Sequence, residues 1–351
     1  MTSVAVLQAG SWGTTLAVIL ARDAGHDVVL WTRDEAHARA LTTDRENAKY
    51  LPGIAVPERV VITSDLARAV ADADDLIVAA PSIGVATLRD RLAPLLRPAH
   101  RILSATKGLA HDGTRMSELW SEVVGAERVA VLSGPNISRE IAAGRPAATV
   151  IASSEPETAR RFQALTGTAM FRSYTDADVV GVELCGALKN IIALGAGAVD
   201  GMGYGDNAKA GFITRGLAEI ARYAFACGAN PLTVAGLAGV GDLIATCMSK
   251  HSRNRTVGEL LATGIAATEV ASHLGGHIAE GVTTTEATYR SARSKGVSMP
   301  ITEQTHLVLS EGKPIREAMN DLMRRERGDE VAGPLAEVSR LIATAASARR
   351  S

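Results

Sequence analysis

Three features of this sequence have the residue types and surroundings to do chemistry. The first is Lys189, inside the apolar stretch "DVVGVELCGALKNIIALGAGAV" (178–199). Read as one helix, the stretch puts Lys189 on a face with Cys185, Gly186, Ile192, Ala193 and Ala196. That face is small and apolar, so it packs, and a packed ammonium loses hydration. Desolvation lowers a lysine pKa from about 10.4 towards neutrality, which suits a general acid that delivers a proton to a carbonyl oxygen. The bland alternative is a lysine whose head reaches water from the helix edge. The second feature is "SKHSRNRTVGELL" (249–261), which reads as a helix start with Ser252 as N-cap and Arg253 and Asn254 in the first turn. Free N–H groups beside an arginine bind phosphate, and a phosphate handle supplies binding energy remote from the reacting carbon. Alone, the same string is a capped surface helix with solvated arginines. Asp242, in "GVGDLI" (239–244), could orient Lys189, bind a substrate hydroxyl, or simply cap a helix.

The third feature is "VLQAGSWGTTLAVILA" (6–21), a near match to G-x-G-x-x-G between a strand-like run and a helical one. Gly10 lets the backbone approach a dinucleotide pyrophosphate, and Gly13 lets the helix pack on the strand. The first glycine, which serves the tight turn, is replaced by Gln8. If position 8 needs φ > 0, Gln8 stores about 1–3 kcal/mol of strain; if the turn has relaxed, the loop sits away from the phosphates. In both cases Gln8→Gly tightens cofactor binding. The competing reading is that the Gln8 carboxamide hydrogen-bonds the cofactor or a nearby loop and has become useful. An acid for the ribose is expected about 20 residues further on. The second strand there ends Trp31-Thr32-Arg33-Asp34. Arg33 can pair with a 2′-phosphate, which favours NADP (NADPH as reductant), while Asp34 keeps NAD possible. The bland readings are a solvated Arg33 and a turn that binds nothing.

These residues need a frame. The first half alternates β-rich runs with helical patterns: "SVAVL" (3–7), "DVVLW" (27–31), "VVIT" (60–63), "DLIVAA" (75–80), "RILSA" (101–105), "VAVLS" (129–133) and "ATVIA" (148–152). Buried parallel strands joined by right-handed crossovers have this pattern, so the expectation is an α/β fold with an N-terminal doubly wound, Rossmann-like sheet. After about residue 178 the strand patterns stop. Helical patterns follow near 207–227, 252–263, 280–295 and 315–324, so an all-helical C-terminal domain is expected. The boundaries read as 1–178 for dinucleotide binding, 179–340 for a helical substrate and catalytic domain, and 341–351 for a tail.

Composition bounds the function. The chain has 351 residues, a formal net charge of -1 and only 3% aromatics, which argues against nucleic-acid or anionic-membrane binding through bulk charge. No segment reads as the roughly 20 apolar residues of a membrane span, and no signal peptide is visible. Cys185, Cys227 and Cys247 are sparse and odd in number, which suggests reduced thiols and a cytoplasmic protein. His251 and His277 are isolated, so no metal site is expected.

Four further stretches, "SATKGL" (104–109), "LSGPNISREIAAGRP" (132–146), "ELCGALKNIIALGAGAVDGMGYGDNAK" (183–209) and "GVGDLIATCMSKHSRNR" (239–255), join the loop and "AEGVTTTEAT" (279–288). In order and spacing the chain resembles, from about residue 3 to about 325, the bacterial type of NAD(P)-dependent glycerol-3-phosphate dehydrogenase. The resemblance implies interconversion of dihydroxyacetone phosphate and sn-glycerol 3-phosphate, for phospholipid synthesis, with Lys189 as acid/base. It implies that Lys107, Gly134, Asn136, Lys189, Asp242, Ser252, Arg253 and Asn254 meet the substrate. Gly10, Ser11, Trp12, Gly13, Arg33, Tyr50, Lys107, Ser138, Arg253, Ile278 and Glu280 then meet the cofactor. It also favours a homodimer. Besides Gln8, the chain departs from the pattern at Asn136 and Ser138, where Thr or Ser and then Ala are usual. These departures keep open a related dehydrogenase of another small phosphorylated or phosphonylated ketone or hydroxy compound. A catalytically inactive NAD(P)-binding regulatory protein is the rival of another class.

Overall fold

The computed structural model describes residues 3–274, 279–326 and 329–330, and the chain divides into two compact units between Glu183 and Leu184.

The first unit is built on ten strands: β1 Ser3–Leu7, β2 Asp27–Trp31, β3 Glu46–Asn47, β4 Leu51–Ala55, β5 Val60–Thr63, β6 Asp75–Val78, β7 Arg101–Ser104, β8 Val129–Ser133, β9 Ala147–Ala152 and β10 Phe171–Asp176. β3 and β4 form a small hairpin. The other eight make one sheet in the order β10-β9-β8-β7-β6-β1-β2-β5. From β1 the chain runs outward through β2 to β5, then returns to β6 on the other side of β1 and runs outward again. The strand order therefore reverses beside β1, the place where doubly wound sheets open a crevice at the strand ends. Residues 4 to 7 of β1 are fully buried because both faces are covered. Ala5 and Leu7 pack with Leu76, Ile102, Met116 and Trp120 on one side. Val4 and Val6 pack with Leu16, Ile19, Leu103 and Phe162 on the other. A continuous apolar run with side chains alternating between two cores is what a central parallel strand requires.

Two features of the sheet depart from the expected pattern. β8 and β9 pair antiparallel, because the segment between them holds only the short helix Ser138–Ala142, which turns the chain back instead of carrying it across the sheet. β10 carries no apolar signal: in "FRSYTD" only Phe171 and Ser173 are buried. It is an edge strand specified by its pairing with β9.

In the second unit the described residues are helical: the end of Val179–Gly201, then Gly205–Ala226, Asp242–Met248, Arg253–Ala262, Val270–His273, Glu280–Ser294, Pro300–Glu311 and Ile315–Arg324, with short 3₁₀ and π turns before Asp242. The helix Pro300–Glu311 was legible but not expected. It has a proline in its first turn and Gly312 at φ 69 after its end, both regular boundary signals. Its start is held by the buried Glu219 carboxylate, which accepts from the N–H groups of Ile301 and Thr302 at 2.8 Å and the Thr302 hydroxyl at 2.7 Å.

The small residues of the chain have a structural use here. A Cβ on Gly258 would run into the Leu194 carbonyl oxygen, and one on Gly197 into that of Arg255. Helices Val179–Gly201 and Arg253–Ala262 thus meet backbone to backbone, closer than larger side chains permit. This contact sets the second helix, with Arg253 at its start, against the helix that carries Lys189.

One expectation from the sequence needs correction. Val179–Gly201 has 23 residues, and its most apolar 18-residue window has a mean hydropathy of 1.6, which is long and apolar enough to cross a membrane. The most apolar part of the helix is 83% buried inside the protein, so its apolar character is that of a core helix.

Candidate active site

Lys189 is only 6% exposed. Its Nζ donates to Asp242 Oδ1 at 2.6 Å and to Thr246 Oγ1 at 2.7 Å, and the Thr246 hydroxyl donates in turn to Asp242 Oδ1 at 3.3 Å. The expected packing neighbours Cys185, Ile192, Ala193 and Ala196 are buried. The head group, however, is not in an apolar pocket as the helical face alone implies. Asp242, 1% exposed, supplies the counter-charge that makes burial of the ammonium tolerable. A lysine head has three N–H donors; two are directed at these partners, and the third has no acceptor among the described residues.

The next residue, Asn190, is buried and joins a second network. Asn254 Nδ2 donates to Asn190 Oδ1 at 2.8 Å, while Asn254 Oδ1 accepts from the Gly281 N–H at 2.9 Å. Glu280 begins the helix of which Gly281 is the second residue. Lys189, Asp242, Asn254 and Glu280 are therefore brought to one region of the second unit. Thr246 and Asn190 belong to it although the reading of the sequence did not single them out. Thr246 lies one helical turn after Asp242, which was the available signal.

Ser252 caps the helix Arg253–Ala262, its hydroxyl accepting from the Arg255 N–H at 3.3 Å. Arg253 is exposed at the first position of that helix. Arg255 serves differently: its guanidinium holds Asp200 at 2.7 Å and Glu259 at 2.8 Å, and Lys209 holds Asp200 at 2.7 Å. Burial pushes the Asp200 carboxyl up, but the hydrogen bonds from Lys209 and Arg255 outweigh it and leave it below the usual range.

In the first unit, the loop after β1 settles the question of Gln8. Its φ is 91°, so the turn keeps the conformation that suits glycine and the glutamine carries the strain. The loop is clamped. Gln8 N–H donates to the Trp31 carbonyl at 2.9 Å. The Ala9 carbonyl receives Asn47 Nδ2 at 3.0 Å and lies 3.3 Å from His37 Nε2. A Cβ on Gly13 would collide with the Gln8 carbonyl oxygen, which is why the third glycine is retained. A Cβ on Gly10 would meet nothing within 4 Å.

Several groups around this loop could hold a dinucleotide. Helix Ser11–Arg22 starts at Gly10 without a side-chain cap, leaving first-turn N–H groups for an anion. Trp12 Nε1 is buried without a hydrogen-bond partner. Arg33 is exposed just past β2. Asp34 is engaged as the N-cap of Glu35–Asp44, accepting from Ala36 N at 2.9 Å and His37 N at 3.1 Å. The His37 amide, with a smaller share from Ala36, holds its carboxyl below the usual range. Tyr50 packs edge-on against His37, ring centroids 5.5 Å apart. The Ser138 carbonyl accepts the Thr15 hydroxyl at 3.2 Å, which ties the start of its short helix to Ser11–Arg22. Elsewhere in the unit, Lys107 Nζ donates to the Gly134 carbonyl at 2.7 Å. Gly134 has φ 150°, and a Cβ there would be tightly crowded by Thr149. Asn136 donates to Thr149 Oγ1 at 3.0 Å, while its buried Oδ1 has no partner. Ile278 lies outside the described residues.

A doubly wound sheet with a glycine loop at its switch point, followed by a helical unit with a buried lysine–aspartate pair, defines a dinucleotide-dependent dehydrogenase. Residues 3–159 match the family model for the N-terminus of NAD-dependent glycerol-3-phosphate dehydrogenase, and residues 178–320 match that for its C-terminus. The chain belongs to the NAD-dependent glycerol-3-phosphate dehydrogenase family. It is 46% identical over 332 residues to glycerol-3-phosphate dehydrogenase [NAD(P)+] of Chlorobium limicola, covering 93% of this chain and 99% of the relative. It is 49% identical over 333 residues to the protein of that name from Parafrankia sp., covering 94% and 99%. The crystal structure of glycerol-3-phosphate dehydrogenase from Coxiella burnetii superposes with a TM-score of 0.89 at 36% identity, covering 92% of this chain and 99% of that one.

The buried pair generates a stability prediction. Asp242→Ala strands the ammonium and is expected to cost about 3–5 kcal/mol, read from urea denaturation. Adding Lys189→Met should return a substantial part of that loss. A single variant as stable as the parent would show that the ammonium does not depend on Asp242.

Proposed function

We propose that this protein is an NAD(P)-dependent glycerol-3-phosphate dehydrogenase, interconverting dihydroxyacetone phosphate and sn-glycerol 3-phosphate. The observation that carries the reading is the buried Lys189–Asp242 pair, joined through Asn190 and Asn254 to the start of the helix bearing Arg253. A proton donor and an anion site are thereby built into one packed element pair. Residues 1–178 bind the dinucleotide and 179–340 the substrate.

The nicotinamide, when bound, supplies hydride to the ketone carbon or takes it from the alcohol. The remaining work belongs to the chain. Lys189 Nζ directs its third N–H to the ketone oxygen and gives up the proton as that oxygen becomes a hydroxyl; in reverse it takes the proton back. Asp242 and Thr246 hold Nζ in place, so no reorientation is needed at the moment of transfer. Arg253 and the first-turn N–H groups of its helix take the substrate phosphate, with Ser252 and Asn254 shaping that end. Lys107, Gly134 and Asn136 complete the substrate contacts. Gly10, Ser11, Trp12, Gly13, Tyr50, Ser138, Ile278 and Glu280 line the cofactor, with Lys107 and Arg253 reaching it as well. Arg33, exposed past β2 while Asp34 is engaged in capping, favours NADPH over NADH. The enzyme works as a cytoplasmic homodimer supplying phospholipid synthesis; a sparse, odd set of three cysteines suits that compartment. A second reading, another small phosphorylated or phosphonylated ketone, is favoured by one feature: the partnerless Asn136 Oδ1, which a differently substituted substrate would satisfy. Relative kcat/KM across a small substrate panel separates the two.

Loss of NADPH absorbance with dihydroxyacetone phosphate tests the reaction itself. Lys189→Met should lower kcat by at least about 10²-fold while NADPH still binds; normal turnover in the folded variant would remove Lys189 from the chemistry. Arg253→Ala should raise KM for the phosphorylated ketone by about 10-fold or more and change the poor activity on free dihydroxyacetone much less. An equal loss on both would give Arg253 a cofactor or structural role instead. For Arg33→Ala, titration should show NADPH weakened more than NADH, since only NADPH carries the 2′-phosphate. Equal weakening would place Arg33 away from the adenosine ribose.

A further inference from the structure

Gln8 stands where the glycine fingerprint needs only a turn, and the structure removes both simple explanations for its tolerance. The turn has not relaxed to accommodate a side chain, since φ is 91°. Nor does the carboxamide fasten the loop to its surroundings, since it makes no hydrogen bond to any other described residue. The loop is held by other groups: the Trp31 carbonyl on Gln8 N–H, Asn47 on the Ala9 carbonyl, and the close fit of Gly13 under the Gln8 carbonyl. A strained residue persists where its surroundings over-determine it, and such positions concentrate at ligand sites. Gln8 is half-buried, at the C-terminal end of β1 and two residues before the uncapped helix start at Gly10, where a Cβ would meet nothing within 4 Å beyond its chain neighbours.

We propose that Gln8 is a cofactor-contacting residue, its carboxamide N–H donating to a phosphoryl oxygen of the bound dinucleotide. The proposal rests on the dinucleotide site proposed above. A neutral amide suits this position. It offers a donor to an anion already met by the first-turn N–H groups, and it adds no charge of its own. The backbone strain is present before any ligand arrives, so binding adds no further backbone cost at this position. The consequence is an opposition between stability and affinity that a glycine at this position does not have.

Three proteins test this: the parent, Gln8→Gly and Gln8→Glu, each titrated with NADPH, NADH and ADP-ribose by calorimetry and melted without ligand. Gln8→Gly should raise Tm by about 2–4 °C through relief of the strain and weaken all three ligands by about 5- to 10-fold, the scale of one hydrogen bond to a charged group. Gln8→Glu, nearly isosteric but anionic, should weaken them further while leaving Tm below that of the glycine variant. Equal or tighter binding by Gln8→Gly overturns the contact and makes Gln8 a tolerated defect. A loss confined to NADPH and NADH with ADP-ribose unaffected also overturns it, because the phosphoryl groups are common to all three. If the parent binds none of the ligands, the dinucleotide site itself falls and the contact falls with it; parent binding with an unchanged glycine variant removes the contact alone.

Discussion

An ammonium group that is 6% exposed cannot stand without a counter-charge, and the second unit is organised around meeting that requirement. Asp242 reaches Lys189 only because short 3₁₀ and π turns deliver the chain to the start of the helix Asp242–Met248. Thr246 follows one turn later and receives the second N–H. The helix that carries Lys189, Val179–Gly201, also makes the backbone contact with Arg253–Ala262, which Gly197 and Gly258 permit. Enlarging either glycine would separate the helices and with them the Asn190–Asn254 bond. One packing constraint therefore sets the helix start that carries Arg253 against the helix that carries Lys189.

The first unit solves a different problem with the same economy. Its glycine loop must leave room for a ligand while keeping a turn that a side chain disfavours. The turn survives the loss of its first glycine because three contacts from outside the loop hold it: from β2, from Asn47, and from the helix under Gly13. The cost of Gln8 is thus local, and the helix start that faces the open space is unaltered. Fingerprint glycines are separable in their roles: Gly13 is compelled by steric contact within the protein, Gly10 by no protein atom, and position 8 only by conformational preference.

Much of this could be read from residue order alone. Lys189 was identifiable because a charged residue in an apolar helical run must be explained, and Ser252 because a cap residue before a helical pattern is a local signal. The seven apolar strand candidates were legible because central strands are buried on both faces. β10 was not, since an edge strand with polar residues has no pattern distinct from a loop. The setting of the Lys189 head was read incompletely for a related reason. Helical periodicity describes the residues on its own helix, whereas Asp242 and Thr246 approach from 53 and 57 positions away.

Local pattern and composition determined the class of fold, the glycine loop, the helix that carries Lys189 and the cap at Ser252, because each depends on residues close in the chain. Tertiary structure alone decided that Arg255 and Lys209 are engaged with Asp200, that Asn254 bridges Asn190 and Gly281, and that Gln8 holds a positive φ. In each case the type of residue allows several partners, and only the packing of distant segments selects one.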